Sequence, residues 1–244
     1  MIRPCYDGNH PAKVDELMHE AFKIWDNPAE SLTSVEARIH DGAAATAALR
    51  QRAADYVGQI LHCSLIRLRP DAAVVEVGSG VGYIMEEFAR RVGVKRVTGL
   101  DVAPAMIERA RERIARDRVD IASLDFALYD GKVFPWPDGG IDFFYSVAAI
   151  QHIPKPYAYN VLFEMQRCLK PGGCAVVHLL GWDQLSVENF SFADEVRRQI
   201  ANQVTHWHHF YDEIELRAIC DNAIKPASFR ITPAEGSIWL SWVK

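Results

Sequence analysis

Between residues 74 and 83 the chain reads V-V-E-V-G-S-G-V-G-Y: an apolar run, an acidic residue and a glycine-rich turn, with a helical pattern from Ile84. Gly78, Gly80 and Gly82 let the backbone take positive φ and come close to a ligand. The helix that follows offers unpaired N–H groups and a partial positive charge to an anionic group. Alone, this is a nucleotide-type site. Two carboxylates narrow it. Glu76 stands two residues before the first glycine, where a negative charge suits an ammonium group better than a pyrophosphate. Asp101 follows about 20 residues later, at the end of the next apolar run, where an acid suits a ribose diol. Tyr83 takes the position at which the dinucleotide fingerprint G-x-G-x-x-G has its last glycine, so the spacing is G-x-G-x-G.

Histidines supply the other candidate chemistry. His152, in Q-H-I-P, is a fair general base near neutral pH; its structural alternative is a histidine bonding a loop backbone. His178 lies inside an apolar run and reads either as a satisfied core residue or as a substrate contact. His206, His208 and His209 form H-W-H-H before Tyr211. Two histidines at i and i+2 suit a metal, with Asp183 as an oxygen donor. No third ligand is evident, so the segment is read as a pocket wall or hinge and no metal is expected. Trp25, Trp182, Phe190, Phe192, Trp207 and Tyr211 make the regions around these histidines aromatic, which suits a small organic molecule; core packing is the alternative for each.

The elements that must hold these residues follow from periodicity. Residues 1–11 read as an irregular arm. Apolar residues recurring at three and four predict a helix over 11–25, ended before Pro28. Residues 31–42 read as a surface loop with one helical turn. The alanine-rich stretch 43–64 is a helix with Leu49, Ala53, Tyr56, Val57, Ile60 and Leu61 on one face. An alternation then begins, with strands over 73–77, 96–100, 126–129, 141–147 and 174–180 and helices over 81–92, 104–115 and 157–169. Pro104 sits in a first turn, where its missing N–H costs little. Lys170-Pro171-Gly172-Gly173 stops the third helix. Helices over 192–204 and 212–222 follow, then strands over 228–232 and 237–243. Alternating strands and helices imply right-handed crossovers and a largely parallel sheet covered on both faces. The final two strands form a hairpin that closes one edge. The organisation is an arm and helical cap over 1–66 and one folded unit over 67–244, with a pocket insert at about 181–211.

The chain has 244 residues and a net charge of −5, with both signs scattered, which argues against a nucleic-acid surface. Cys5, Cys63, Cys168, Cys174 and Cys220 are far apart without a C-x-x-C pair, the pattern of reduced thiols. No apolar run approaches the roughly 20 residues of a membrane span. The first residues contain no signal-peptide apolar region. A cytoplasmic protein with no membrane partner is the expectation.

Several stretches together resemble the class I S-adenosylmethionine-dependent methyltransferases, close to the ubiquinone- and small-molecule group. They are VVEVGSGVGY, GLDVAPAMIERAR, YDG followed by FPWPDGGIDFFYS, QHIP and MQRCLKPGG, in family order. The resemblance implies a Rossmann-like, seven-stranded α/β fold and S-adenosylmethionine as cofactor. It implies roles by position. Gly78, Ser79, Gly80 and Gly82 would pack against the methionine part, with Glu76 beside them and Tyr83 either covering the cofactor or packing against the N-terminal helices. Asp101 would hold the ribose hydroxyls, and Val102 and Met106 would flank adenine. Asp130 would accept from the adenine amino group, with Gly131 adding a backbone contact; Asp125 is its less well-spaced rival. Ser146 and Val147 would line the methionine side. His152 is the leading base for O-methylation of a small molecule. N- or C-methylation, with His152 structural, is the alternative, and a non-catalytic cofactor-binding module is a further one. Trp25, His178, Trp182, His208, His209 and Tyr211 are the candidate acceptor contacts.

Overall fold

The computed structural model describes residues 22–39, 46–119, 124–182 and 208–244, together with Ala193 and Arg197. The expected arm, most of the first helix, nearly all of the 192–204 helix, and Asp183, Phe190, Phe192, His206 and Trp207 lie outside the described residues.

The cap contributes α1 (Leu32–Ile39) and α2 (Thr46–Cys63). Where a loop with one helical turn was predicted, α1 is an eight-residue helix. Its signals are local: Ser31 Oγ accepts the Ser34 N–H at 3.2 Å, and Leu32, Val35 and Glu36 bury one face at i, i+3 and i+4. On α2, Leu49, Ala53, Val57, Ile60 and Cys63 form the buried stripe. Tyr56 and Leu61 stand half-buried at its margin.

The expected alternation follows as β1 (Val74–Val77), α3 (Tyr83–Val92), β2 (Val97–Asp101), α4 (Pro104–Asp117), β3 (Leu124–Leu128) and β4 (Ile141–Ser146). A 3₁₀ turn (Ile150–His152), α5 (Lys155–Cys168) and β5 (Leu169–Gly181) complete it. The tail gives β6 (Phe210–Tyr211), α6 (Glu213–Ile219), a π-helical turn (Cys220–Ile224), β7 (Ser228–Ala234) and β8 (Ser237–Val243). Seven strands lie in the order β3-β2-β1-β4-β5-β8-β7, and β6 pairs with β5 as an eighth. β1 to β5 are parallel, whereas β8 runs antiparallel to both β5 and β7. The hairpin therefore closes an edge, as predicted.

All four residues of β1 are buried, the pattern of a central strand covered on both faces. Alternation splits them. Val75 and Val77 pack into the core beside α5, whereas Val74 joins Val57, Ile60, Met85 and Phe88 under α2 and α3. Glu76 shares the face of Val74. The register sets Glu76 opposite Tyr145 on β4. Cys63, Cys168, Cys174 and Cys220 are free thiols, all buried. Among the described residues no helix is long and apolar enough to cross a membrane.

Candidate functional site

The parallel strands end at a cavity of about 910 Å³, within the size of organic-ligand pockets and at the end of the sheet where open α/β folds bind ligands. Its floor is the glycine loop. Gly78, Gly80 and Gly82 have φ of 73°, 53° and 81°. At Gly78 the need for glycine is twofold, because a Cβ there would also lie 2.2 Å from the Ala149 Cβ. The loop is thus wedged between β1 and the segment after β4. Below it, Ser79 packs over β2, so closely that a Cβ on Gly99 would stand 2.6 Å from its Oγ.

Two acids face this floor. Asp101 is 8% exposed. Its Oδ2 accepts the Gly80 N–H at 3.2 Å and its Oδ1 accepts the Ala103 N–H at 3.1 Å. Each oxygen keeps further acceptor capacity. Burial pushes the carboxyl up to about 6 despite these N–H bonds. Glu76 is 1% exposed and accepts the Tyr145 hydroxyl at 3.3 Å. Burial holds it well above the ordinary carboxylate range, and the Asp101 charge adds to the rise. Beyond Asp101, Val102, Met106 and Tyr129 continue the wall.

The other end of the cavity carries the histidines. His152, His178 and His208 line it with Trp25 and Val147. The His152 ring lies 4.9 Å from that of His208 and 5.4 Å from that of Trp25. A backbone bond secures this pairing: the His209 N–H donates to the Gln151 carbonyl at 2.8 Å. His178 Nδ1 accepts the Ala148 N–H at 3.3 Å, and burial pushes its pKa down to about 4.

Six expected contacts lie outside the cavity wall in this geometry, and Tyr83 is refined. Asp130 is exposed and outside the cavity wall; its Oδ1 accepts the Lys132 and Val133 N–H groups at 2.8 and 3.0 Å. A short bend needs those donors satisfied, and the nearest carboxylate does it. Gly131 supplies positive φ for the same bend, outside the wall. Ser146 is fully buried, and its Oγ donates to the Val77 carbonyl at 2.8 Å, tying β4 to the end of β1 rather than lining the cavity. Trp182 packs on Phe210 and is 46% exposed. Tyr211 is buried on β6 with Lys155 Nζ 4.7 Å above its ring. Neither Trp182 nor Tyr211 reaches the cavity. His209, half-buried, lies outside the wall as well; burial, with Lys155 and His208 nearby, pushes it down to about 4. Tyr83 does line the cavity, but its hydroxyl donates to Glu36 at 2.7 Å. It therefore joins the cap to the loop. Asp125, the rival to Asp130, is exposed.

Arg52, Tyr56, Ala149, Gln151 and the hairpin turn around Gly236 line the cavity and were not singled out from the sequence. Gln151 had a signal, since it precedes His152 in the same motif. Tyr56 looked like core packing because it neighbours the buried stripe of α2. The hairpin turn had none: only the long-range β5–β8 pairing brings it over the cavity. Among the described residues no three His, Cys, Asp or Glu side chains group as metal ligands.

Residues 74–173 match the model of a family described as "Methyltransferase domain". The 2-methyl-6-phytyl-1,4-hydroquinone methyltransferase of Synechocystis is 32% identical over 143 residues, 57% of this chain and 42% of that protein. The chain thus spans less than half the length of the curated relatives it matches. Among solved structures, geranyl diphosphate C-methyltransferase from Streptomyces coelicolor superposes with a TM-score of 0.63, covering 99% of each chain at 16% identity. The Haemonchus contortus phosphoethanolamine N-methyltransferase 2 gives 0.65 at 14% identity, covering 96% of this chain and 61% of that one. At these identities the two structures share the fold.

Proposed function

We infer that this chain, whose residues 74–173 match the methyltransferase-domain family, is a class I enzyme that moves a methyl group from S-adenosylmethionine to a small organic acceptor. The observation that carries the reading is that one cavity joins the Asp101 and glycine-loop end to the His152 and His178 end. Donor and acceptor can therefore lie in contact.

The residues present fit the cofactor. Asp101 keeps acceptor capacity on both oxygens for a diol, and Gly78, Gly80 and Gly82 of the loop line the same cavity. Glu76 offers a buried carboxylate to an ammonium group. The Ser79 hydroxyl is buried without a hydrogen-bond partner among the described residues, as expected beside a polar ligand. Val102 and Met106 supply apolar surface for a flat base. Both solved relatives named above contain S-adenosylhomocysteine.

When bound, the cofactor supplies a methyl group already activated on a sulfonium. The protein must then align the acceptor, exclude water and handle one proton. His152 lines the cavity, which supports it as the group for the last task. We propose it as the general base for an oxygen nucleophile. Transfer to carbon is the second reading, represented by the Streptomyces coelicolor enzyme; transfer to nitrogen is represented by the Haemonchus enzyme.

The test is transfer of labelled methyl from S-adenosylmethionine into a metabolite extract, with the product isolated. A labelled small molecule whose formation stops in His152→Ala supports the full proposal. Label in a product that forms equally fast in that variant retires the base. Label found only in protein or nucleic acid overturns the small-molecule reading.

A further inference from the structure

His178 lies on β5 opposite Trp239 of β8. It shares the cavity-facing side of β5 with Leu180, two residues on. Two rings fix its orientation: Trp239 at 4.9 Å and 63°, and Tyr56 at 5.6 Å and 69°. Both are edge-on contacts of the kind aromatic rings prefer. The Ala148 N–H then settles the tautomer. It donates to Nδ1 at 3.3 Å, so that nitrogen carries a lone pair and the proton of the neutral ring sits on Nε2. Ala148 has φ of 52°, left-handed for a non-glycine residue, and this bond helps to hold it there. The bond to Ala148 is the hydrogen bond His178 makes among the described residues. The side chain is 6% exposed, and that exposure is to the cavity.

Protonation of this ring would set an Nδ1–H against the Ala148 N–H and place a charge in a buried site. At neutral pH His178 is thus a neutral donor with no lone pair to offer the acceptor. An N–H so presented needs an accepting atom on the ligand. A neutral amine has one lone pair, which methyl transfer itself requires. An oxygen adjoining the reacting atom has lone pairs to spare, whether it is phenolic, enolic or carbonyl.

We propose that His178 is a specificity-determining residue: its Nε2–H binds a hydrogen-bond-accepting oxygen of the methyl acceptor and selects oxygenated acceptors over simple amines. This rests on the methyltransferase reading, deepens it, and divides the work. His152 handles a proton, whereas His178 positions an oxygen and exchanges none. For transfer to a carbon beside that oxygen, the same donor would stabilise negative charge on the oxygen.

The test uses the full chain loaded with S-adenosylhomocysteine, with phenol and toluene as probes of matched size. In nitrogen-detected NMR of histidine-labelled protein, His178 should be neutral with its proton on Nε2 at pH 7.5, and phenol, not toluene, should shift that proton. Phenol should bind roughly tenfold more tightly than toluene, the worth of one hydrogen bond in a dry site. His178→Phe should abolish the preference while leaving S-adenosylhomocysteine affinity within about twofold, and His178→Gln, which keeps an N–H, should restore part of it. An Nδ1–H or charged ring overturns the proposal, as does equal or absent binding of the two probes by the wild-type protein. A purely structural role would instead lower S-adenosylhomocysteine affinity in both variants with the phenol preference intact. If the wild-type protein fails to bind S-adenosylhomocysteine at all, the methyltransferase reading itself is wrong; the ring's tautomer is read independently of that result.

Discussion

Asp101 is a carboxylate held where water hardly reaches it, and that has a measurable consequence. Its ordinary value of 3.8 is pushed up to about 6 by burial, with the Asp26 charge adding to the rise. A diol binds the charged form, which accepts without donating. The sign follows: affinity for S-adenosylhomocysteine should be full above about pH 7 and fall as pH drops through 6, by up to tenfold per pH unit. Asp101→Asn should bind roughly 10- to 100-fold more weakly, with that pH dependence removed. Calorimetry across pH 5 to 8 checks both. For His152→Ala, turnover should fall about 100- to 10,000-fold with cofactor affinity unchanged. Placement set by local backbone was legible in the sequence: the loop glycines take positive φ and Asp101 ends β2 within hydrogen-bond reach of Gly80. The bend at Asp130 was not, because residue type does not show that its carboxylate accepts the Lys132 and Val133 N–H groups.

At the scale of elements, the glycine loop is held from outside as well as by its own φ angles. Arg113, fully buried on α4, donates to the Val81 and Gly82 carbonyls at 2.9 and 3.0 Å. It also pairs with Glu86, which Arg50 of α2 reaches at 2.7 Å. Glu36 of α1 accepts from Tyr83 and from Arg116 at 2.8 Å. Burial opposes the Glu36 charge, and the bonds from Arg116 and Tyr83 overcome it, holding the carboxyl below its ordinary range. Cap, loop and α4 are thereby one mechanical unit. Gly78→Ala should cost about 1–3 kcal/mol from φ alone, more with the Ala149 collision, and reduce cofactor affinity at least about tenfold. Arg113→Met should lower unfolding stability by roughly 3 kcal/mol and weaken cofactor binding with it, whereas His152→Ala should do neither. Chemical denaturation beside a binding titration separates these outcomes. The strands and helices of the alternating core were legible because each spans enough residues to show its period. α1 was read too short, since a serine cap and two turns give a weak pattern. β6 was invisible, because two residues carry no period and its pairing with Leu180 is set by long-range packing.

For the whole molecule, the cap, through Trp25, Arg52 and Tyr56, and the hairpin turn at Gly236 line one cavity with His178. The sheet's parallel core could be read from the chain; the meeting of its two ends over one cavity could not, because it depends on β8 returning beside β5. The account assigns the reaction to the activated methyl and to histidine side chains, so activity found by the labelling assay should survive a strong chelator, and its loss with recovery on adding back a divalent ion would revise the acceptor end. On the methyltransferase reading the loop cradles S-adenosylmethionine and not a dinucleotide. Calorimetric titration of the full chain with S-adenosylhomocysteine and, separately, with nicotinamide adenine dinucleotide decides between the two ligands. Saturable one-site binding of the first and none of the second is expected; binding of the dinucleotide without S-adenosylhomocysteine would overturn the reading.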